Sequence, residues 1–309
     1  MDNTETEIEI LPQEFVEQIN SQGRLYLVGG GVRDYLITGR FPAELDFLVT
    51  GYKLEELISI LRNWGAAVYV GKQFGVIKFL PRFLDEKELE FSIPDIRGTK
   101  TDQLTADLKE RDFTINAMAY DVATGEIIDP FEGELDIKRK VIRAVKLENL
   151  TKDPIRLFRA VRFVAQLGFR IHPDTKEEIK KNGYLLKTVA PERIRDELKK
   201  LLFLPDPSPG FYLMRELDLM EQVIPELVKT YQVEPGGHHQ YALFEHTIRA
   251  VKYATRDLKV RLAALLHDIA KPICRRRLPN GRVVFYGHDV KGGKIAKAIL
   301  KRFKFSGDI

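Results

Sequence analysis

The stretch Leu25–Thr50, LYLVGGGVRDYLITGRFPAELDFLVT, decides the fold. RLYLVG (24–29) reads as a strand, GVRDYLIT (31–38) as the start of a helix, and LDFLVT (45–50) as a second strand. Between the first strand and the helix stand Gly29, Gly30 and Gly31. Glycines let a backbone come close to a ligand, and the unpaired amides of a helix N-terminus attract anions, so a triphosphate fits there. A tight turn alone would look the same. Arg33 and Asp34 add a charged donor and an ion pair in the first turn. Glu44 and Asp46 stand two apart at the start of the second strand, so both carboxylates share one face. Such a pair suits Mg²⁺, which takes oxygen ligands and substrate phosphates. A solvated rim also carries acid pairs, but the neighbouring glycine turn favours a phosphate held near a metal. A third carboxylate is expected from a neighbouring strand: Glu90 in ELEFSI (88–93), with Asp95 as the fallback.

Outward from this centre, residues 13–22 read as a short helix and 53–65 as an amphipathic one, with Leu54, Leu57, Ile58 and Leu61 at helical spacing. AAVYVG (66–71), GVIKFL (75–80) and ELEFSI read as strands, and GEIIDPFEG (125–133) as a hairpin candidate. From about residue 134 strand signals nearly stop. DPIRLFRAVRFVAQLGF opens with Asp153 and Pro154, residues suited to N-cap and N1. HPDTKEEIKKNG and PERIRDELKKLLF follow as helices, then a PDPSPG linker (205–210) and a helical region bearing histidines. The expected fold is α+β, in three parts: a mixed-sheet head over 1–137, a helical neck over 138–204, and a helical body over 205–309.

The 309 residues are 44% hydrophobic and 30% charged, with one cysteine, Cys274. That excludes an intramolecular disulfide scaffold and fits a reducing compartment. The acidic start MDNTETEIEI is unlike a signal peptide, and no apolar run is long enough to span a membrane, so a cytoplasmic protein with no membrane partner is expected. The net charge of +4 conceals an acidic head (net −13 over 1–137), a basic neck (+10 over 138–203) and a basic remainder (+7 over 204–309). This asymmetry fits a metal-using site attached to a polyanion-binding surface, and equally a set of solvated helices.

LVGGGVRD, ELDFLV, ERDFTINAMAYD (110–121), DPIRLFRAVRF (153–163) and PERIRDELKKLL (191–202) together resemble the class II tRNA nucleotidyltransferases, the CCA-adding enzymes, and the related bacterial poly(A) polymerases. Five ordered motifs spread over residues 25–202 make the resemblance specific. It implies a polymerase-β-like head, Mg²⁺ as cofactor, CTP and ATP as substrates, and the tRNA 3′ end as partner. It implies metal and catalytic roles for Glu44, Asp46 and Glu90, and a triphosphate cradle at Gly29, Gly30 and Arg33. Arg111 and Asp112 match the motif addressing ribose and phosphates, with Asn116 beside them. Asp153 and Arg156, one helical turn apart, match the pair that reads the base, and Arg159 and Arg162 continue that row. A carboxylate accepts and a guanidinium donates, which suits the exocyclic amine and bare ring nitrogen of C and A and mismatches U and G. Arg193 and Arg195 are expected to orient the base-reading helix or to bind tRNA phosphates. Two positions depart from the family pattern: Glu44 stands where Asp is usual, and Lys152 where Glu is usual.

Five of the six histidines follow residue 237. His246 and the pair His267-Asp268 in AALLHDIAKP resemble an HD phosphohydrolase domain, which implies a divalent metal there, and His288-Asp289 extends the pattern. A further Asp is expected downstream and is not assigned before Ile309. His238-His239 reads as a loop.

Overall fold

The computed structural model describes residues 11–42, 44–70, 76–84, 88–93, 100–233 and 241–307; Asp95 and His238-His239 lie outside them. The chain divides into two units, Met1–Asn149 and Leu150–Ile309.

In the first unit the strands are β1 (Arg24–Val28), β2 (Asp46–Thr50), β3 (Gly65–Val70), β4 (Val76–Pro81), β5 (Leu89–Ser92), β6 (Ala119–Asp121) and β7 (Ile127–Ile128). They form one mixed sheet in the order β3-β4-β5-β2-β1-β6-β7, antiparallel except for the β2–β5 pair. The helices are α1 (Gln13–Asn20), α2 (Gly30–Thr38), α3 (Leu54–Trp64), α4 (Lys100–Lys109) and α5 (Gly133–Arg139). Leu25, Leu27, Phe47, Val49 and Phe91 bury one face of the sheet with Phe15, Leu57 and Leu61. Tyr26, Val28 and Leu48 cover the other with Leu104 and Leu108 of α4. Central strands covered on both sides read as continuous apolar runs, which is why LYLV and FLV carry no polar alternation. GEIIDPFEG supplies only β7, which pairs back onto β6, and its second half turns into α5.

The second unit is helical: α6 (Leu147–Lys152, begun in the first unit), α7 (Ile155–Leu167), α8 (Pro173–Asn182), α9 (Pro191–Leu202), α10 (Ser208–Glu216), α11 (Met220–Val223), α12 (Pro225–Val228), α13 (Leu243–Tyr253), α14 (Leu258–Leu266), α15 (Lys271–Cys274) and α16 (His288–Arg302). The two-residue strands β8 (Val141–Ile142, in the first unit) and β9 (Arg170–Ile171) are also present, and β10 (Arg276–Arg277) and β11 (Val283–Val284) form a hairpin. The expected 205–210 linker is helical from Ser208 onward. Asp206 Oδ1 accepts from the Ser208 amide and hydroxyl, and Pro209 takes a first-turn position where no amide is required.

α9 ends on a buried cation. Arg261 of α14 is 1% exposed and donates to the carbonyls of Leu202, Leu204 and Pro205, and Arg256 donates to that of Phe203. Two guanidinium groups thus satisfy carbonyls that a helix end leaves unpaired. Replacing Arg261 with Leu strands these buried acceptors. It is expected to cost about 3 kcal/mol, read as a shift in the urea unfolding midpoint.

Candidate active site and metal cluster

Gly29 follows the last residue of β1 and caps α2 at φ 74°, ψ −132°, a conformation that disfavours any side chain. A Cβ built there would lie 2.9 Å from Arg111 Nη1 and 4.0 Å from Asp46 Oδ2, so the turn, the arginine and the acid surround one small space. The first-turn amides of α2, beginning at Gly30, open beside it. Asp46 is the first residue of β2 and is exposed. It stands opposite Val28 on one side and Glu90 of β5 on the other, so Asp46 and Glu90 share a face of the sheet. Glu44 is exposed two residues earlier, outside the strand. Between the two acids, Leu45 is 3% exposed and packs in the main core, which fixes the direction of the backbone.

Behind this space runs a buried polar relay. Arg33 is 5% exposed; it donates from Nε to Asp34 Oδ1 (2.8 Å) and from Nη1 to Asn116 Oδ1 (2.7 Å). Asn116 donates to Asp112 Oδ1 at 3.0 Å, which also accepts the Phe113 amide at 2.8 Å. Asn116 sits in a short 3-10 turn, and its side chain joins the glycine helix to the ERDF motif instead of capping a helix. Arg111 is steadied by Asp107, one helical turn before it, at 3.1 and 3.0 Å. Asn149 donates to the carbonyls of Lys109 and Arg111, both at 2.9 Å. Lys78 pairs across the strands with Glu90; its ammonium is 2.6 Å from Glu88 and 3.9 Å from Glu90. Sequence reasoning missed Asp107, Asn149 and Lys78. The i, i+4 spacing of Asp107 and Arg111 could have revealed the first.

In the second unit Asp153 does not cap α7. Arg193 of α9 grips its carboxylate bidentately, Nη1 on Oδ1 and Nη2 on Oδ2, each at 2.8 Å. Arg156 lies beside it, Nε 4.0 Å from Oδ2. A carboxylate has about four acceptor sites, so two remain for a base. Arg195 turns elsewhere, to Asp196 and the Lys304 carbonyl. Arg159 approaches Glu197 at 3.7 Å. Arg162 lies where α7 packs against α9. It is 7% exposed and donates to Glu197 at 2.6 Å and to Gln166, because α7 is buried on this side against α9.

His246, His267 and Asp268 come together in the same unit, and are the one group of three such donors close enough to share an ion among the described residues. His246 Nε2 and His267 Nε2 are 3.2 Å apart, and Asp268 Oδ2 is 3.6 and 3.1 Å from them. Ligands at about 2.1 Å from one metal sit roughly 3.0–3.4 Å from each other, so two of the three separations already suit a divalent ion and the His246–Asp268 one needs only a small closure. His267 Nδ1 donates to the Ala264 carbonyl at 2.8 Å, which leaves Nε2 for the ion. His288 is oriented likewise by the Phe285 carbonyl (2.8 Å), with Nε2 3.8 Å from Asp268 Oδ1. Lys271 Nζ is 2.7 Å from Asp268 Oδ2.

The hydrogen bond to Asp268 raises the pKa of His267 above its ordinary 6.5, against the effect of burial. Burial would raise the Asp268 carboxyl, but hydrogen bonds from His267 and Lys271 outweigh it and hold the group at about 2. An ion must displace the proton that His267 holds more tightly than usual. Mn²⁺ affinity, followed by calorimetry from about pH 8.5 down to about pH 6, is therefore expected to weaken by about tenfold per unit once below that raised pKa. A pH-independent affinity would contradict this.

Family models match three stretches of the chain. Residues 25–143 match the poly A polymerase head domain, 168–230 the probable RNA and SrmB-binding site of polymerase A, and 243–309 the HD domain. An A-adding tRNA nucleotidyltransferase from Deinococcus radiodurans is 40% identical over 215 residues, 66% of this chain and 49% of that protein. A multifunctional CCA protein from Alkalilimnicola ehrlichii is 35% identical over 306 residues, 91% of this chain and 70% of that protein. The crystal structure of the Bacillus stearothermophilus CCA-adding enzyme in complex with CTP superposes with a TM-score of 0.66 at 28% identity, covering 93% of this chain and 69% of that one. The chain spans about half the length of the first of these relatives. No helix among the described residues is long and apolar enough to cross a membrane. A glycine turn, strand acids and ERDF relay in one unit, with an HD cluster in the other, thus place the chain in the family of CCA-adding tRNA nucleotidyltransferases and bacterial poly(A) polymerases.

Proposed function

We propose that this chain is a template-independent nucleotidyltransferase that adds CMP and AMP to the 3′ end of tRNA in the cytoplasm, releasing pyrophosphate. The observation that carries the proposal is the meeting of Gly29, Arg111 and Asp46 around one space, with Glu90 beside Asp46 in register. In the proposed division, residues 1–137 form the catalytic head, 138–204 the base-reading neck, and 205–309 the body with the HD domain.

The α2 amides at Gly30 and the Arg111 guanidinium receive the triphosphate, and the Gly29 turn lets it approach. Arg33, fixed by Asn116 and Asp112, holds the turn in shape. The tRNA 3′ oxygen attacks the α-phosphorus; the new P–O bond forms as the bond to the pyrophosphate oxygen breaks. Asp46, with Glu44 and Glu90, offers the hard oxygen donors that suit Mg²⁺, which when bound would lower the attacking hydroxyl's pKa and shield the leaving pyrophosphate. Asp153, locked by Arg193, accepts from the exocyclic amine of C or A while Arg156 donates to the ring nitrogen. Incubating labelled CTP or ATP with tRNA lacking its 3′ terminus tests the proposal, and absence of incorporation overturns it. Product length on sequencing gels separates full CCA addition from CC-only, A-only or poly(A) addition.

Glu44 bears on the rate. Its backbone is anchored by buried Leu45, so its extra methylene shifts the carboxylate by roughly 1 Å, and Mg²⁺ tolerates poor geometry badly. Glu44→Asp is expected to speed incorporation, by up to about 10²-fold. An unchanged rate would show that the site has adapted to the longer side chain.

The preassembled His246/His267/Asp268 cluster favours a second reading, in which the HD unit acts as a phosphohydrolase. Release of phosphate from a 2′,3′-cyclic phosphate, lost in His267→Ala, tests it.

A further inference from the structure

Residues 271–304 hold eleven Lys and Arg against a single acid, Asp289, a net of +10 in a segment that starts beside the His/Asp cluster. Three of these cations have carboxylate partners: Lys271 on Asp268, Arg302 on Glu226 and Lys304 on Glu192. The other eight make no ion pair among the described residues and are all exposed.

They fall into two groups. Arg275, Arg276, Arg277 and Arg282 lie on the β10–β11 hairpin and its flanks. Lys291, Lys294, Lys297 and Lys301 recur every three or four residues and form one stripe along α16, about 15 Å long. Each group has one end near the cluster. The first residue of α16 is His288, with Nε2 facing Asp268. The hairpin is pinned there by Lys271, whose ammonium bonds Asp268 and lies 5.6 Å from the Phe285 ring. Where the hairpin leaves for α16 stands Tyr286, 70% exposed.

Like charges at helical spacing without counter-ions destabilise the helix that carries them, so this face gains most from a polyanion. Cations flanking an exposed aromatic ring match a strand whose phosphates are neutralised while a base stacks. We propose that the β10–β11 hairpin and the α16 lysine stripe form a docking face for single-stranded RNA, directing its phosphates toward the His/Asp cluster. The face works independently of nucleotidyl transfer in the head.

The test uses the full chain, a fluorescent 12-nucleotide unstructured RNA with a 3′-phosphate, and anisotropy across a salt series without nucleoside triphosphates. Two triple variants probe separate elements: Arg275→Gln with Arg276→Gln and Arg277→Gln, and Lys291→Gln with Lys294→Gln and Lys297→Gln. Each is expected to bind the RNA at least about tenfold more weakly near 0.1 M salt, and to lower the log–log salt slope by about 2. Unchanged melting temperatures certify the fold. Incorporation at saturating tRNA stays within about twofold of the parent, which separates this face from the head chemistry. Unchanged affinity and slope in both triples overturn the proposal. So does retention on vesicles with about 30% phosphatidylserine when the RNA fails to bind.

Discussion

Asp46→Asn is expected to lower CMP and AMP incorporation into 3′-truncated tRNA by at least about 10³-fold, with the melting temperature unchanged within about 2 °C. Asp46 is exposed, so the substitution removes little packing. It stands where the Gly29 turn, Arg111 and Glu90 meet. An amide cannot provide the second negative oxygen that a hard cation requires, and the neighbouring Glu90 cannot supply it from its own strand without leaving register. Rapid-quench single-turnover kinetics separate the chemical step from tRNA binding, which should be unaffected. A variant that keeps its single-turnover rate would remove Asp46 from the chemistry.

Gly29→Ala is expected to lower kcat/KM by about 10²-fold and stability by about 2 kcal/mol. Its φ of 74° with ψ of −132° lies in a region that residues with a Cβ rarely occupy, and the new methyl would lie 2.9 Å from Arg111 Nη1. The arginine must move, and with it the charge proposed to face the phosphates. Gly39, at the other end of α2, is the internal control. It is also left-handed, at φ 73° and ψ 9°, but nothing lies within 4 Å of its Cβ position. Gly39→Ala should cost about 1 kcal/mol and leave kcat/KM unchanged. Equal activity losses in the two variants would mean that backbone strain, not the position of Arg111, governs the site.

Much of the head was legible because its signals are local. Apolar runs ended by glycine marked β1 and β2, and helical spacing marked α3. Glu90 could be nominated because a two-residue alternation put it on a strand face, although only the β2–β5 register set it beside Asp46. Contacts made across long sequence separations left no such trace. The Arg33–Asn116 bond spans 83 positions and the Arg193–Asp153 clamp 40. No periodicity encodes either. The surroundings of Arg162 were hidden for a different reason. Arginines recurring along an apolar helix look solvent-facing, but α7 is buried on most of its circumference, with Leu157, Ala160 and Phe163 inside as well as Ile155 and Phe158. Burying Arg162 is tolerable because Glu197 meets it there. In the HD unit, His246, His267-Asp268 and His288 were named from the sequence, and helix packing sets the distances among His246, His267 and Asp268.

The pairing of β2 with β5 has a consequence for how the protein matures. It is the sheet's one parallel contact, and it joins acids 44 positions apart after an intervening helix and hairpin have folded back. Local hairpins can close early, whereas a parallel contact must wait for its crossover. During refolding, the head should regain its helices and outer strands before Asp46 and Glu90 become neighbours. The ability to transfer a nucleotide would then appear with the slowest phase, making catalysis itself the last signal of a completed chain.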